Sequence, residues 1–305
     1  MSPAAPHSHD YSEDTLVEQP AIALFESLGW ETGNLYAEWT GSSSSEGRQT
    51  QQDVVLEGRL RAALRKLNPD LPDEAINLVV EELARDRSKL LPVNANQQVY
   101  RLLKDGVPVP VTDEHGHNTL KVAKVIDWGC VEENNFFLTS QFWVKGDYHT
   151  RRTDLLGFVN GIPLLFVELK ATHKTLKAAY DDNLTDYRTV IPQLFTYNGA
   201  LMLSNGSQTV VGSTFSPWEH LFEWKRINDE GEKGVVSLET AIRGIGEPSR
   251  LLDIVENFTV FEDVAGGVIK KIAKNHQYLG VNKAIAEVWR TKDRPKDQAG
   301  RLGVF

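Results

Sequence analysis

The stretch RTDLLGFVNGIPLLFVELK, residues 152–170, decides how the rest of the chain is read. Its two halves, 155–159 and 164–169, are rich in leucine, phenylalanine and valine, and the Asn160-Gly161 pair between them is a strong signal for a tight β-hairpin turn. Beside its leading Arg152, the hairpin carries three chargeable side chains, Asp154, Glu168 and Lys170. Because side chains alternate along a strand, Glu168 and Lys170 emerge on the same face.

Such a face is costly unless something sits on it. Two carboxylates about 4 Å apart repel by roughly 4 kcal/mol at an effective dielectric near 20, and a divalent cation between them reverses the sign. Hard oxygen ligands suit Mg²⁺ or Mn²⁺, which keep waters and take phosphate oxygens as further ligands. A lysine beside them neutralises charge that develops on a scissile phosphate, the chemistry of metal-assisted phosphodiester hydrolysis. A surface salt bridge at a solvated hairpin end is the bland alternative for a bare D…ExK spacing. The apolar run before Glu168 weighs against it, since so hydrophobic a strand belongs in a sheet core, where charges are few.

The 305 residues, 41% hydrophobic and 25% charged, suffice for one large or two modest cores. A single cysteine, Cys130, excludes an internal disulfide framework and a cysteine zinc site and fits a cytoplasmic protein. No apolar run approaches a membrane span, and the opening MSPAAPHSHD is not ordered like a signal peptide. With 33 basic and 42 acidic residues the formal charge is −9, so any contact with DNA must be local. Arg59, Arg61, Arg65 and Lys66 share one predicted helix and read as its solvated face. Arg151, Arg152, Lys170, His173, Lys174 and Lys177 surround the hairpin, and of these Arg151, Arg152, Lys174 and Lys177 are the candidate DNA contacts.

Along the chain, helices are expected over 15–28, 54–66, 72–85 and 94–104, and the run GSSSSEGRQTQQD, 41–53, reads as a flexible loop. Strands are expected over 107–111, 120–128, 136–144, the hairpin and 200–203. Between Lys170 and Pro192 the period changes, with Leu176, Tyr180, Leu184 and Tyr187 at helical spacing. Strand, hairpin, helix, strand makes a mixed α/β core with the helix crossing one face of the sheet. Residues 1–10 read as a disordered tail, and 237–305 as a mainly helical connecting region. Asp113-Glu114-His115-Gly116-His117 reads as a polar turn, and the seven tryptophans as core or interface residues.

The segments NNFFLTSQFWV, RRTDLLGFVNGIPLLFVELK and NLTDYRTVIPQLFTYNGALMLSNG, in this order, resemble the N-terminal nuclease region of the restriction (R) subunit of type I restriction-modification enzymes. The resemblance runs from Tyr11 to the C-terminus and implies a PD-(D/E)xK restriction-endonuclease-like sheet flanked by helices over 11–236. It implies that Asp154 and Glu168, with Leu169 between Glu168 and Lys170, bind the metal and that Lys170 assists catalysis. Leu16-Val17-Glu18-Gln19-Pro20 looks like the family's opening helix, which makes Glu18 a further candidate ligand. The family's Gln-x-x-x-Tyr motif is matched by position at Asn183 and Tyr187, with asparagine replacing glutamine, and literally at Gln193 and Tyr197. An i,i+4 pair projects from one helix face, which favours Asn183 and Tyr187.

Asn275-His276-Gln277-Tyr278 resembles the entry to the family's first motor domain, with Gln277 matching an adenine-contacting glutamine. RLGVF, 301–305, looks like the strand ahead of a Walker A loop, so ATP is expected to act only in a full-length protein. The leading expectation is a Mg²⁺-dependent DNA endonuclease domain driven by an ATP-fuelled translocase, with methylation and specificity subunits as partners. A non-catalytic docking fragment and a stand-alone Mrr-like nuclease are the alternatives.

Overall fold

The computed structural model describes residues 17–38, 40–112 and 116–292. In chain order its main elements are α1 (Gln19–Ser27), β1 (Glu31–Asn34), α2 (Glu57–Leu67), α3 (Asp73–Ala84), α4 (Pro92–Asp105), β2 (Val107–Thr112) and β3 (Asn118–Ala123). Next come β4 (Phe136–Lys145), β5 (Thr150–Val159), β6 (Ile162–Leu169), the helical segment α5 (176–190), β7 (Ala200–Ser204) and β8 (Thr209–Gly212). The C-terminal part holds α6 (238–246), α7 (Pro248–Asn257), β9 (Thr259–Val264), β10 (Gly267–Ile272) and α8 (Asn275–Lys292).

Among the described residues one six-stranded sheet runs in the order β1-β4-β5-β6-β7-β8. The strands β4, β5 and β6 are antiparallel neighbours, while β6 pairs parallel with β7 because α5 carries the chain back across the sheet. All eight residues of β6 are buried, as expected of a central strand covered on both sides. On one face Tyr187 of α5 meets the Phe166 ring edge-on at 5.9 Å. On the other, the Trp30 ring presses on Gly157, where a Cβ would fall 3.0 Å from it, and contacts Phe25 and Phe136. The fold is thus the mixed α/β sheet flanked by helices that the sequence predicts.

The hairpin turn forms as the Asn-Gly pair dictates, with φ of 51° at Asn160 and 79° at Gly161. It is also a packed joint. Gly161 sits where a Cβ would lie 2.5 Å from the Leu56 carbonyl oxygen, and the buried Asn160 amide donates to Val125 O and Asn134 Oδ1. The turn is therefore fixed from outside as well as by its own conformation.

The stretch 41–53 departs from the flexible loop expected of its serines and glutamines. Arg48 is 1% exposed and organises it. Its guanidinium pairs with Glu38 at 2.6 Å, donates to the carbonyls of Asp53, Gln51 and Trp143, and lies 4.0 Å from the Phe142 ring centroid. The Asp53 carboxylate accepts from the N–H groups of Gln49 and Thr50. A polar segment with no core of its own is ordered by one buried cation.

The basic face of α2 is spent within the protein. Arg59 pairs with Glu31 and Glu46, Arg61 with Glu57, Arg65 with Asp73 and Lys66 with Glu133. The C-terminal part is mainly helical but is interrupted by the β9–β10 hairpin, which the mainly helical expectation for 237–305 does not separate. It is fastened to the sheet domain: Trp30 Nε1 donates to Gly246 O, Tyr100 Oη to Glu256 O, and the buried Lys270 Nζ to Asn198 O. No helix among the described residues is long and apolar enough to cross a membrane. The residues of the expected tail, of the Asp113-Glu114-His115 part of the polar turn, and of RLGVF lie outside the described residues.

Candidate active site

The open end of the hairpin gathers the predicted acidic residues. Leu156 pairs with Phe166 and Leu155 with Val167, so continuing the register sets Asp154 and Glu168 side by side on the face that α5 covers. The Leu169 N–H donates to Asp154 Oδ2 at 2.8 Å, which ties that carboxylate to the strand bearing Glu168. Glu168 is fully buried. Its Oε1 accepts from Lys170 Nζ at 2.7 Å and from Asn183 Nδ2 at 2.6 Å.

The other oxygen, Glu168 Oε2, is buried without a hydrogen-bond partner among the described residues. Burial, and then the neighbouring Asp154 charge, push the Glu168 carboxyl up to about 8, while Lys170 and Asn183 pull the other way. Burial, with the Glu168 and Asp154 charges behind it, also raises the Tyr187 phenol above its usual range. An orphaned buried carboxylate oxygen beside a second carboxylate fits a hard divalent cation. Among the described residues no three His, Cys, Asp or Glu side chains converge on a metal site, so Asp154 and Glu168 would leave further positions to main-chain oxygen, water or substrate. The Leu169 side chain is buried, which limits its contribution to the backbone.

The helix after the lysine brings in Asn183 and Tyr187 and leaves Gln193 and Tyr197 elsewhere. Tyr187 Oη donates to Arg152 O at 3.0 Å. Gln193 instead donates to Lys145 O, and Tyr197 Oη to Leu83 O across the core. The segment carrying Asn183 is a π-turn, Ala179–Leu184, continued by ordinary α-helix over Thr185–Val190. Such one-residue expansions recur where a helix must aim a side chain at a functional site.

Glu18 does not form a three-carboxylate cluster with Asp154 and Glu168. Both of its oxygens accept from Gln141 Nε2, at 3.1 and 3.0 Å. Gln141, missed in the sequence, has φ of 59°, which is rare for a residue with a Cβ. Ser140 pairs with Leu155 and Phe142 with Thr153, so Gln141 stands opposite Asp154. Nothing in its own residue type signals that conformation.

The basic residues divide. Arg151 is engaged by both oxygens of Asp186, at 2.5 and 2.9 Å. Lys177 pairs with Asp181 and faces the rings of Tyr180 and Trp218. Lys174 is exposed and in no salt bridge among the described residues. Gln277 is on α8, apart from this cluster in the sequence, and its Oε1 accepts from the Lys274 N–H.

The profile of the family "Type I restriction enzyme R protein N terminus" matches residues 10–220. The type I restriction enzyme HindI endonuclease subunit of Haemophilus influenzae is 32% identical over 299 residues, covering 93% of this chain and 28% of the relative. A provisionally named type I restriction enzyme MjaIXP endonuclease subunit of Methanocaldococcus jannaschii is 27% identical over 323 residues, covering 96% of this chain and 29% of the relative. The chain thus spans under a third of the length of these curated relatives. On a family match that spans more than half of its residues and contains the whole hairpin, the chain belongs to the type I restriction enzyme R protein N-terminal family.

Proposed function

We propose that this chain is the Mg²⁺- or Mn²⁺-dependent DNA endonuclease domain of a type I restriction enzyme R subunit. The observation that carries the reading is the orphaned Glu168 Oε2, held buried beside Asp154 and Lys170 at the end of the family's hairpin. Asp154 and Glu168 would hold the cation, with Leu169 contributing through its backbone. Bound there, the cation would supply Lewis-acid polarisation of the scissile phosphate and a more acidic bound water.

The chain's own groups prepare that site. Leu169 orients Asp154 through its N–H, and Asn183 and Lys170 fix Glu168 by its Oε1, which leaves Oε2 directed elsewhere. Lys170 Nζ adds a positive charge beside the position of a scissile phosphate, where it would offset charge developing on the leaving oxygen. Glu18, held by Gln141 opposite Asp154, would act from beside the site rather than as a third metal ligand.

Cleavage is proposed to operate in the cytoplasm within an assembly that also contains methylation and specificity subunits, with ATP consumed by parts of the full-length protein beyond this domain and Gln277 contacting its adenine. The test uses a full-length subunit carrying Glu168→Ala, assayed for supercoiled-plasmid cleavage and for ATP hydrolysis. We expect cleavage to fall by about 100-fold or more, on the scale of losing one preorganised charged group, with ATP hydrolysis retained. Undiminished cutting would remove Glu168 from the reaction.

A further inference from the structure

The two adjacent arginines of β5 have opposite surroundings. Arg151 is neutralised by Asp186. Arg152 is exposed and in no salt bridge among the described residues. Its guanidinium carbon lies 5.6 Å from the ring centroids of both Tyr36 and Trp143, whose own centroids are 6.0 Å apart. Tyr36 is 55% exposed. A cation braced by two aromatic faces loses little further freedom on binding an anion.

The position of this trio gives it a substrate. Trp143 is the register partner of Arg152, so both project from the same face, and Asp154 lies on that face two residues later. Two residues along a strand span about 7 Å, comparable to the step from one phosphate to the next in a nucleic-acid strand. The Tyr187 hydroxyl holds the Arg152 carbonyl, so the main chain beneath the guanidinium is fixed to the helix that also supplies Asn183. In a chain of formal charge −9, a cation with no carboxylate partner among the described residues, set beside an acidic cluster, marks a place for a phosphate.

We propose that Arg152, braced by Tyr36 and Trp143, binds the DNA phosphate adjoining the one to be cut, and that the exposed Tyr36 ring packs on the neighbouring sugar or base. The proposal rests on the nuclease reading for which phosphate is engaged. Binding itself is measured without cleavage.

The experiment is fluorescence anisotropy of a labelled DNA duplex with the 305-residue chain, in Ca²⁺ and over a series of salt concentrations. Arg152→Gln should weaken binding by about tenfold and reduce the slope of log affinity against log salt by about one. Arg152→Lys should keep the slope and recover part of the affinity, whereas Tyr36→Ala should lose affinity a few-fold with the slope retained. Arg65→Gln on α2, outside the hairpin cluster, serves as the control for a one-charge change and should leave the slope unchanged, with circular dichroism showing that each variant is folded. Parental affinity and slope in Arg152→Gln, or no binding by the parental chain at low salt, would overturn the proposal. Should Glu168→Ala keep full cleavage, the reaction is not centred on Glu168, the reading of which phosphate is engaged fails, and this binding result stands separately.

Discussion

Gln141 stands opposite Asp154 across the β4–β5 ladder, and the ladder skips a rung between them. The positive φ of Gln141 releases its side chain from the ordinary alternation and aims the amide at both oxygens of Glu18. A strained residue within a sheet beside two carboxylates is the kind of outlier from which a functional role is inferred.

Gln141→Gly separates the backbone from the side chain, because glycine adopts this φ without steric cost. The expected result is a denaturation midpoint close to the parent and DNA cleavage reduced several-fold as Glu18 loses its holder. Gln141→Ala should in addition lower stability by about 1 kcal/mol, since the strain remains and the hydrogen bonds do not. Unaltered cleavage by both variants, read beside their urea curves, would detach Glu18 from the site.

The pH dependence of stability should report Glu168 in protein freed of divalent cations. In the unfolded chain this carboxyl titrates near its ordinary 4.5, and in the folded chain it holds its proton up to about 8. The folded state binds more protons between those values, so this contribution is full below about pH 4.5 and is lost as pH rises through 8. Urea midpoints of the parent and of Glu168→Gln in EDTA should diverge across that window, the parent falling more steeply. Parallel curves would show that Glu168 ionises normally.

Asn183 and Tyr197 should give opposite phenotypes. Asn183→Ala removes a donor from Glu168 and should lower cleavage by about tenfold with little change in stability. Tyr197→Phe leaves the Leu83 carbonyl without its hydroxyl donor in the core, and should cost about 1 kcal/mol with cleavage preserved. Plasmid nicking and chemical denaturation on the same preparations separate the two.

Arg48→Ala should destabilise the fold by about 3–5 kcal/mol, because Glu38 would remain buried without its cation. The loss would appear as a lower urea midpoint. Proteolysis within 41–53 should begin under conditions in which the parent resists it.

The sheet and its hairpin were legible because Asn160-Gly161 and two leucine- and phenylalanine-rich runs carry unambiguous local signals. The pairing of Asp154 with Glu168 and Lys170 came with that hairpin, since register does the rest. The edge strand Glu31–Asn34 was not legible: its sequence ETGN has little β propensity, and it pairs because β4 offers an open edge. Arg48 hid inside a run of serines and glutamines, since its partners Glu38 and the Trp143 carbonyl are set by tertiary structure. For the same reason the sequence distinguished neither Arg151 from Arg152 nor the role of Gln141.

The π-turn Ala179–Leu184 means that the helix over the sheet holds one residue more than its span requires. Removing a single residue from 179–182 would regularise the helix while turning its N-terminal half by about 100° relative to its C-terminal half. Asn183 and Tyr187, both after the deletion, would keep their seats only if the N-terminal half swung away and carried Lys177 off the Trp218 ring. The surplus residue works as a phase adjustment, and a lineage that lost it would gain a straighter helix at the expense of its aim.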